Sequence, residues 1–558
     1  MKGPGWRTLA LAFGATLAVY LLVAVRMLPY VEPPTGDQPH YLMQTISLVR
    51  DGDLDLRNNY QVDESYSAFS APGRRREGFR GIPVAYHLDP QGHIVMQATG
   101  DGDAWYPKHS PGLPMLLVPG WAIGDALTPW LRELTALGNG AWPGTVFQMA
   151  VVGALLGAQV FLLAWEVSRR RAVAFAVWAA LAFSVPNLLM SLLVYPEAVG
   201  ALGTIYAFRQ IVVQPLATQP WRLPIVGAVL AGLPWFNPRF VLVSGGLALL
   251  VVVALWYERQ TATQAAARWA EAKQSRLRSL LPRGVLLLGP LVLSLVLLRW
   301  YQVATYGSTA AVADQYEGFY VPTMVDGQLG ADWPALFLAL AGLFVDRQYG
   351  LLVFAPVYAL ALVGLVALWR ADRGRWLVAG LAVIVVPYVL LTADFRVWWG
   401  GWSPPARYLA VVTPLLALPL AHTLVALDRT RWYPVVFGLL AAAGLVVAGA
   451  LLLQLGDARV DQAIFSNPTR TPPLLRWLEL RLGLDLLPLL PGIAAWFSDR
   501  RDPIPWTQIA GALGLVGVVV GVCIAFLPAT QGTPPGPQHD AASERGPAPI
   551  LPRTGMSA

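Results

Sequence analysis

The residues whose chemistry stands out are polar groups set between apolar runs. Thr35-Gly36-Asp37-Gln38-Pro39-His40-Tyr41 holds a carboxylate and an imidazole three residues apart, on one face if the segment is helical. A carboxylate kept from bulk water can take the raised pKa that suits a general base. Asp37 is a candidate for such chemistry, and the plain alternative is a helix N-cap ahead of Pro39. His40 would orient the base or touch an anion. Tyr106-Pro107-Lys108-His109-Ser110-Pro111-Gly112 sets Lys108 and His109 before a helix start, where backbone N–H groups already favour anions. In Val194-Tyr195-Pro196-Glu197, Glu197 either caps a helix or binds substrate hydroxyls. Asp346-Arg347-Gln348-Tyr349-Gly350 and Ala406-Arg407-Tyr408 bring guanidinium groups beside tyrosines. The guanidinium fork engages two oxygens of a phosphate at once.

The elements that carry these groups are membrane spans. Of the 558 residues, 56% are hydrophobic and 13% charged, against about 25% charged in soluble domains. Mean hydropathy is +0.51. Several apolar runs reach the length of about 18 residues that spanning requires, which excludes a soluble enzyme, a disordered chain and a disulfide scaffold. The expectation is an all-α polytopic membrane protein of about 12 transmembrane helices. Cys523 is the only cysteine, so no intramolecular disulfide forms. The net charge of +7 sits in short loops between spans, which points to membrane orientation and not to nucleic acid.

Arginine clusters set the alternation. An uncleaved first span over 8–28 leads into a long outer loop, 29–144, with a short interfacial helix over 112–123. Spans are then expected over 146–167, 172–188, 198–213, 223–233, 240–256, 285–303, 351–369, 376–391, 409–427, 435–455 and 509–526, with a short apolar piece over 333–344. The basic stretch from Glu258 to Arg283 is placed on the cytoplasmic surface. Residues 1–455 form the main membrane domain, 456–527 an external loop with the last span, and 528–558 a disordered tail.

This count leaves Asp37, His40, Lys108, His109, Glu197, Arg239, Asp346, Arg347, Arg396 and Arg407 on the outer side. Arginine in short external loops runs against the positive-inside tendency. Individual pairing with a carboxylate or a lipid phosphate explains any one of them. A shared anionic ligand explains Arg239, Arg347, Arg396 and Arg407 together.

The acidic residue after the first span, the long first loop, the interfacial helices and the Tyr-Pro-Glu turn resemble the GT-C superfamily of integral-membrane glycosyltransferases. Protein mannosyltransferases and the lipid A aminoarabinose transferase are of this kind. The resemblance covers about residues 8–430. It implies transfer of a sugar from a polyprenyl-phosphate donor to a lipid, glycan or protein acceptor, on the extracytoplasmic face of the plasma membrane. It makes Asp37 the catalytic base; for such a donor, the positions of His40, Lys108, His109, Glu197, Arg239, Arg347, Tyr349, Arg407 and Tyr408 at span ends make them the candidates for donor-phosphate or substrate binding. Many members carry two adjacent acids in the first loop, whereas the second position here is Gln38. No organic cofactor is implied, and a divalent metal is left open.

Competing readings remain. A transporter or flippase of a lipid-linked substrate would show two similar halves and charges near mid-membrane; no internal repeat is visible. A scaffold that keeps the fold without catalysis is a third. Asp51, Asp53 and Asp55 have the spacing of a calcium loop, but Leu56 and Val62 stand where glycine and glutamate belong, so a turn is expected. Trp398, Trp399 and Trp402 fit sugar stacking or an interfacial belt equally well.

Overall fold

The computed structural model describes residues 4–30, 36–61, 85–88, 94–96, 104–107, 109–134, 140–214, 222–266, 270–306, 332–371, 374–428, 430, 432–455, 457, 464–468, 470–498 and 505–527. Lys108 and the tail beyond residue 527 lie outside these residues. Six helices are long and apolar enough to cross a membrane: Trp6–Tyr30, Ala141–Ser168, Pro282–Thr305, Gly374–Asp394, Trp432–Leu453 and Trp506–Ala525. Six shorter apolar helices of 10–17 residues accompany them. The chain is a helical membrane protein.

Ala141–Ser168 is the central element, with 67% of its apolar window buried. It packs against helices Trp6–Met27, Gly112–Leu134, Arg171–Ala182, Glu197–Phe208 and Ala417–Ala426. Glycine permits the closest of these crossings: a Cβ on Gly144 would stand 2.9 Å from the Gly124 Cα. Small residues of this kind let helix backbones approach in lipid, where no hydrophobic force drives association. The peripheral helices show the reverse pattern. Leu293 is 60% exposed and Val446 70%, an apolar exterior that only lipid solvates without cost.

Proline breaks several expected spans. The span expected over 172–188 is helical only over Arg171–Ala182; Ser184 to Pro186 then interrupt it before the short turn Asn187–Met190. Pro356 cuts the span expected over 351–369 into Leu351–Phe354, a 3₁₀ turn and Leu360–Trp369. Pro414 likewise leaves 3₁₀ turns ahead of Ala417–Ala426. In each case proline lacks the N–H that the helix needs, and packed neighbours accommodate the break. The short piece expected over 112–123 is instead one helix, Gly112–Leu134, with Pro119 and Pro129 inside it. The expected external loop after residue 456 carries helices Pro473–Leu482 and Ile493–Ser498.

The first loop also forms a feature that helical periodicity does not show. Strands Ala85–Leu88, Ile94–Met96 and Tyr106–Pro107 pair antiparallel, with the first in the middle; Tyr86 faces both Met96 and Tyr106. Nearby, Asp51 accepts hydrogen bonds from Asn58 and Asn59, and Asp55 Oδ1 accepts from the Trp105 N–H at 2.8 Å. The three aspartates form a turn network, and no group of three metal-ligating side chains occurs among the described residues.

The loop alternation is checked by thiol labelling in a Cys523→Ala background. A cysteine at Asn58 is expected to react with an impermeant reagent in intact cells, and one at Gln264 to stay unlabelled. Equal labelling would place both segments on one side and break the count.

Candidate functional site

Three segments far apart in sequence converge on one guanidinium. Arg407 donates from Nη2 to Asp37 Oδ2 at 2.7 Å and from Nε to Glu197 Oε1 at 2.8 Å. Its Nη1 reaches the Gly400 carbonyl at 3.3 Å. The guanidinium carbon lies 4.1 Å from the centre of the Tyr195 ring and 5.2 Å from that of Tyr408. The Arg407 and Glu197 side chains are 3% and 1% exposed, and that of Asp37 is 36% exposed. The opening of the cluster is therefore on the Asp37 side.

Local backbone explains why each group arrives. Gly36 adopts a φ of +66°, and a Cβ there would stand 2.6 Å from the Trp402 carbonyl oxygen. Both the conformation and the space call for glycine. Asp37 occupies the N-cap position of helix Gln38–Arg50, but its side chain makes no capping bond. The N-cap alternative therefore fails; the carboxylate is turned toward Arg407. Gln38 is fully buried and its Oε1 accepts from the Val194 N–H at 2.9 Å, tying this helix to the Tyr-Pro-Glu turn. A second carboxylate at this position would be a buried negative charge next to Asp37, which a neutral amide avoids. Glu197 opens helix Glu197–Phe208.

Arg407 is presented by a braced loop. Gly400 has a φ of +92°, and Ala406, just before Arg407, is left-handed at +53°. Such a conformation in a residue with a Cβ persists only where surrounding contacts impose it. Here the Ala406 N–H donates to the Tyr349 carbonyl at 3.1 Å. The Tyr349 hydroxyl donates to the Ser466 carbonyl at 2.7 Å, and Ser466 bridges to Ser403. Tyr349 thus holds the loop and does not face the cluster. Its own turn is organised by Asp346, which accepts from the N–H groups of Gln348, Tyr349 and Ala494 at 2.8, 3.0 and 2.9 Å. Burial pushes the Asp346 carboxyl up, against the pull of those three donors.

The other expected residues divide. Arg239 is buried beside the cluster, its guanidinium 4.0 Å from the Tyr408 ring and 4.5 Å from Phe395. His40 Nδ1 and the Tyr60 hydroxyl share a hydrogen bond at 2.7 Å, and the His40 and His109 rings lie 5.8 Å apart. Both histidines act on Asp37 electrostatically. Arg347 is not brought to Arg407: its backbone N–H donates to the Pro491 carbonyl and its guanidinium lies against Gly492. Arg396 is exposed. Trp398 is fully buried against Gly342, which makes it a core residue and not a sugar platform.

The electrostatics reverse one expectation. Burial alone would push the Asp37 carboxyl up, but Arg407, then His109 and His40, outweigh it and hold the group well below the usual carboxylate range. The raised pKa expected of a waiting base is absent because a full positive charge sits in contact. Glu197 Oε2, by contrast, is buried and has no hydrogen-bond partner among the described residues.

A second buried cluster escaped the sequence reading, which looked for awkward charges on the outer side. Arg209 Nε donates to Glu166 Oε2 at 2.9 Å, and the same guanidinium reaches Gln159. Gln214 also donates to Glu166, and Arg222 bonds Gln210 and Gln214. Arg209 begins a π-helical turn, Arg209–Val213, at the far end of the helix that Glu197 opens. The available signal was a glutamate just before the Arg169-Arg170-Arg171 stop. A scan against protein-family models finds no match to this chain, and a search of curated proteins finds none either.

Truncating the central cation tests the cluster. Arg407→Ala leaves the Glu197 charge buried and unpaired, and is expected to cost about 3–5 kcal/mol in detergent unfolding. The acid limb follows from Asp37. Its folded pKa is depressed, so its stabilisation is complete above the unfolded value of about 3.9 and is lost as pH falls toward the folded value. Asp37→Asn is expected to flatten that limb, as followed by unfolding temperature against pH; an unchanged limb would remove Asp37 as its source.

Proposed function

We propose that this chain is a membrane glycosyltransferase of the GT-C type. It would move a sugar from a polyprenyl-phosphate donor to a hydroxyl on a lipid, glycan or protein acceptor, at the extracytoplasmic face of the plasma membrane. In this reading the bundle has about a dozen spans: six are long apolar helices, and the others are shorter or broken by proline, Glu197–Phe208 among them. The observation that carries the reading is the Asp37–Arg407–Glu197 cluster, with its partly exposed carboxylate directly after the first apolar helix.

The chemistry assigned to the cluster balances as follows. The acceptor hydroxyl oxygen forms a bond to the anomeric carbon while its proton passes to Asp37 Oδ2. The bond from the anomeric carbon to the donor phosphate oxygen breaks, and the polyprenyl phosphate leaves with the electron pair. Its new negative charge is met by Arg407, with Arg239 nearby. Glu197 is assigned to substrate hydroxyls, a role that requires its buried Oε2 to be uncovered when substrate binds. Lys108 is assigned to the donor phosphate by resemblance alone.

The second reading is a transporter or flippase of a lipid-linked substrate. The observation that favours it is the Glu166–Arg209 pair, because ionisable groups buried in a membrane bundle often mark a substrate path. One assay separates the two. Purified protein in vesicles with a polyprenyl-phosphate sugar should consume the donor and change the acceptor mass; translocation with neither change would establish the second reading.

Asp37→Asn tests the assigned base. Asparagine keeps the size of the side chain, and the native group makes no capping bond to lose. Expression and donor binding are expected to persist, with transfer slowed by about 10²–10⁴-fold. Wild-type turnover in this variant would remove Asp37 from the mechanism.

A further inference from the structure

A base clamped by a cation is a poor proton acceptor, so the three contacts that hold the cation decide what can release it. Of the three donor contacts made by Arg407, only the one to Asp37 lies on the exposed side. Nε is held by a carboxylate that is 1% exposed, and Nη1 by a backbone carbonyl in a braced loop. Nη2 is therefore the Arg407 donor nearest the exposed side, and an anion can reach it only by displacing the Asp37 carboxylate that covers it.

We propose that Arg407 exchanges partners on substrate binding: an entering alkyl phosphodiester takes Nη2 from Asp37, while Glu197 keeps the guanidinium in place, so that substrate binding itself releases the base. The inference rests on the glycosyltransferase reading and adds its regulation. Without donor, Asp37 is neutralised as a base and the site is idle. With donor, Asp37 stands beside a phosphate in place of a guanidinium contact, and its proton affinity rises when an acceptor arrives. Glu197 is then the residue that prevents Arg407 from following the phosphate away.

The groups that face Asp37 are Arg407 and Tyr195 from the two neighbouring segments, His109 ahead of helix Gly112–Leu134, and His40 on its own helix; Glu197 lies across Arg407. Exchange raises the proton affinity of Asp37 in the complex, so the complex binds more protons than the free protein. Affinity must then strengthen as pH falls, by up to about tenfold per pH unit below the complex pKa of Asp37.

The test uses the full chain in phospholipid-free non-ionic detergent and a farnesyl methyl phosphate diester, whose own ionisation lies far below the range studied. Its dissociation constant is measured from about pH 3 to 8, spanning the carboxylate and imidazole ranges. The expected result is a low-pH strengthening that persists in His40→Gln and His109→Gln and disappears in Asp37→Asn. A second step near the imidazole range belongs to the histidines and vanishes with them. Binding by wild type without a low-pH step overturns the exchange and leaves the glycosyltransferase reading standing; this arm needs no variant to fold. Absence of binding at every pH overturns both. Phosphatidylglycerol, also a phosphodiester, is titrated alongside: if it binds more tightly than the farnesyl diester with the same step, the exchange partner is a lipid headgroup and the donor assignment falls.

Discussion

A guanidinium buried at the edge of a membrane bundle must be paid for locally, and Arg407 meets that cost with two carboxylates and a carbonyl. Neither acid alone would suffice. Glu197 is as buried as Arg407, so each compensates the other's lost hydration, and removing either strands a charge in a low-dielectric setting. Asp37 is the variable member, since over a third of its side chain still meets solvent. The cluster joins the turn after the first apolar helix, the Tyr-Pro-Glu turn and the loop following helix Gly374–Asp394.

The segments around the cluster are built to hold that geometry. Gln38 ties Asp37's helix to Val194, so the two acid-bearing segments cannot drift apart. Tyr349 uses its carbonyl on Ala406 and its hydroxyl on the Ser466 carbonyl, which holds Arg407's loop from behind. Asp346 spends both carboxylate oxygens on backbone donors, one of them in helix Ile493–Ser498. The part of the chain after residue 456 therefore helps to hold the cluster.

The far end of the bundle is organised on the same principle with a different outcome. Arg209 and Glu166 are also a buried pair, but Gln159 bonds the cation, Gln214 bonds the carboxylate, and Arg222 bonds Gln210 and Gln214 beside them. Helix Glu197–Phe208, about 18 Å long, separates the two clusters. One cluster presents a partly exposed carboxylate and an unfilled Glu197 oxygen; the other turns its polar atoms on one another.

The helical membrane class and the identity of the polar outliers were legible in the sequence, because hydropathy acts locally and long apolar runs have few soluble alternatives. Asp37, Glu197 and Arg407 stood out for the same reason: charge at the end of an apolar run is conspicuous. Their partnership was not legible. It depends on helix packing that brings residues 37, 197 and 407 together, and no periodicity encodes which loop ends meet. That packing also decided that Asp37 pairs with a cation and does not cap a helix, that its carboxyl is lowered and not raised, and that Gln38 is a brace. Proline positions were visible, yet whether a proline ends a helix, as at Pro186, or is absorbed within one, as at Pro119, was decided by the neighbours packed around it. Local chemistry names the charged groups; only the tertiary fold sets the distances over which charges act.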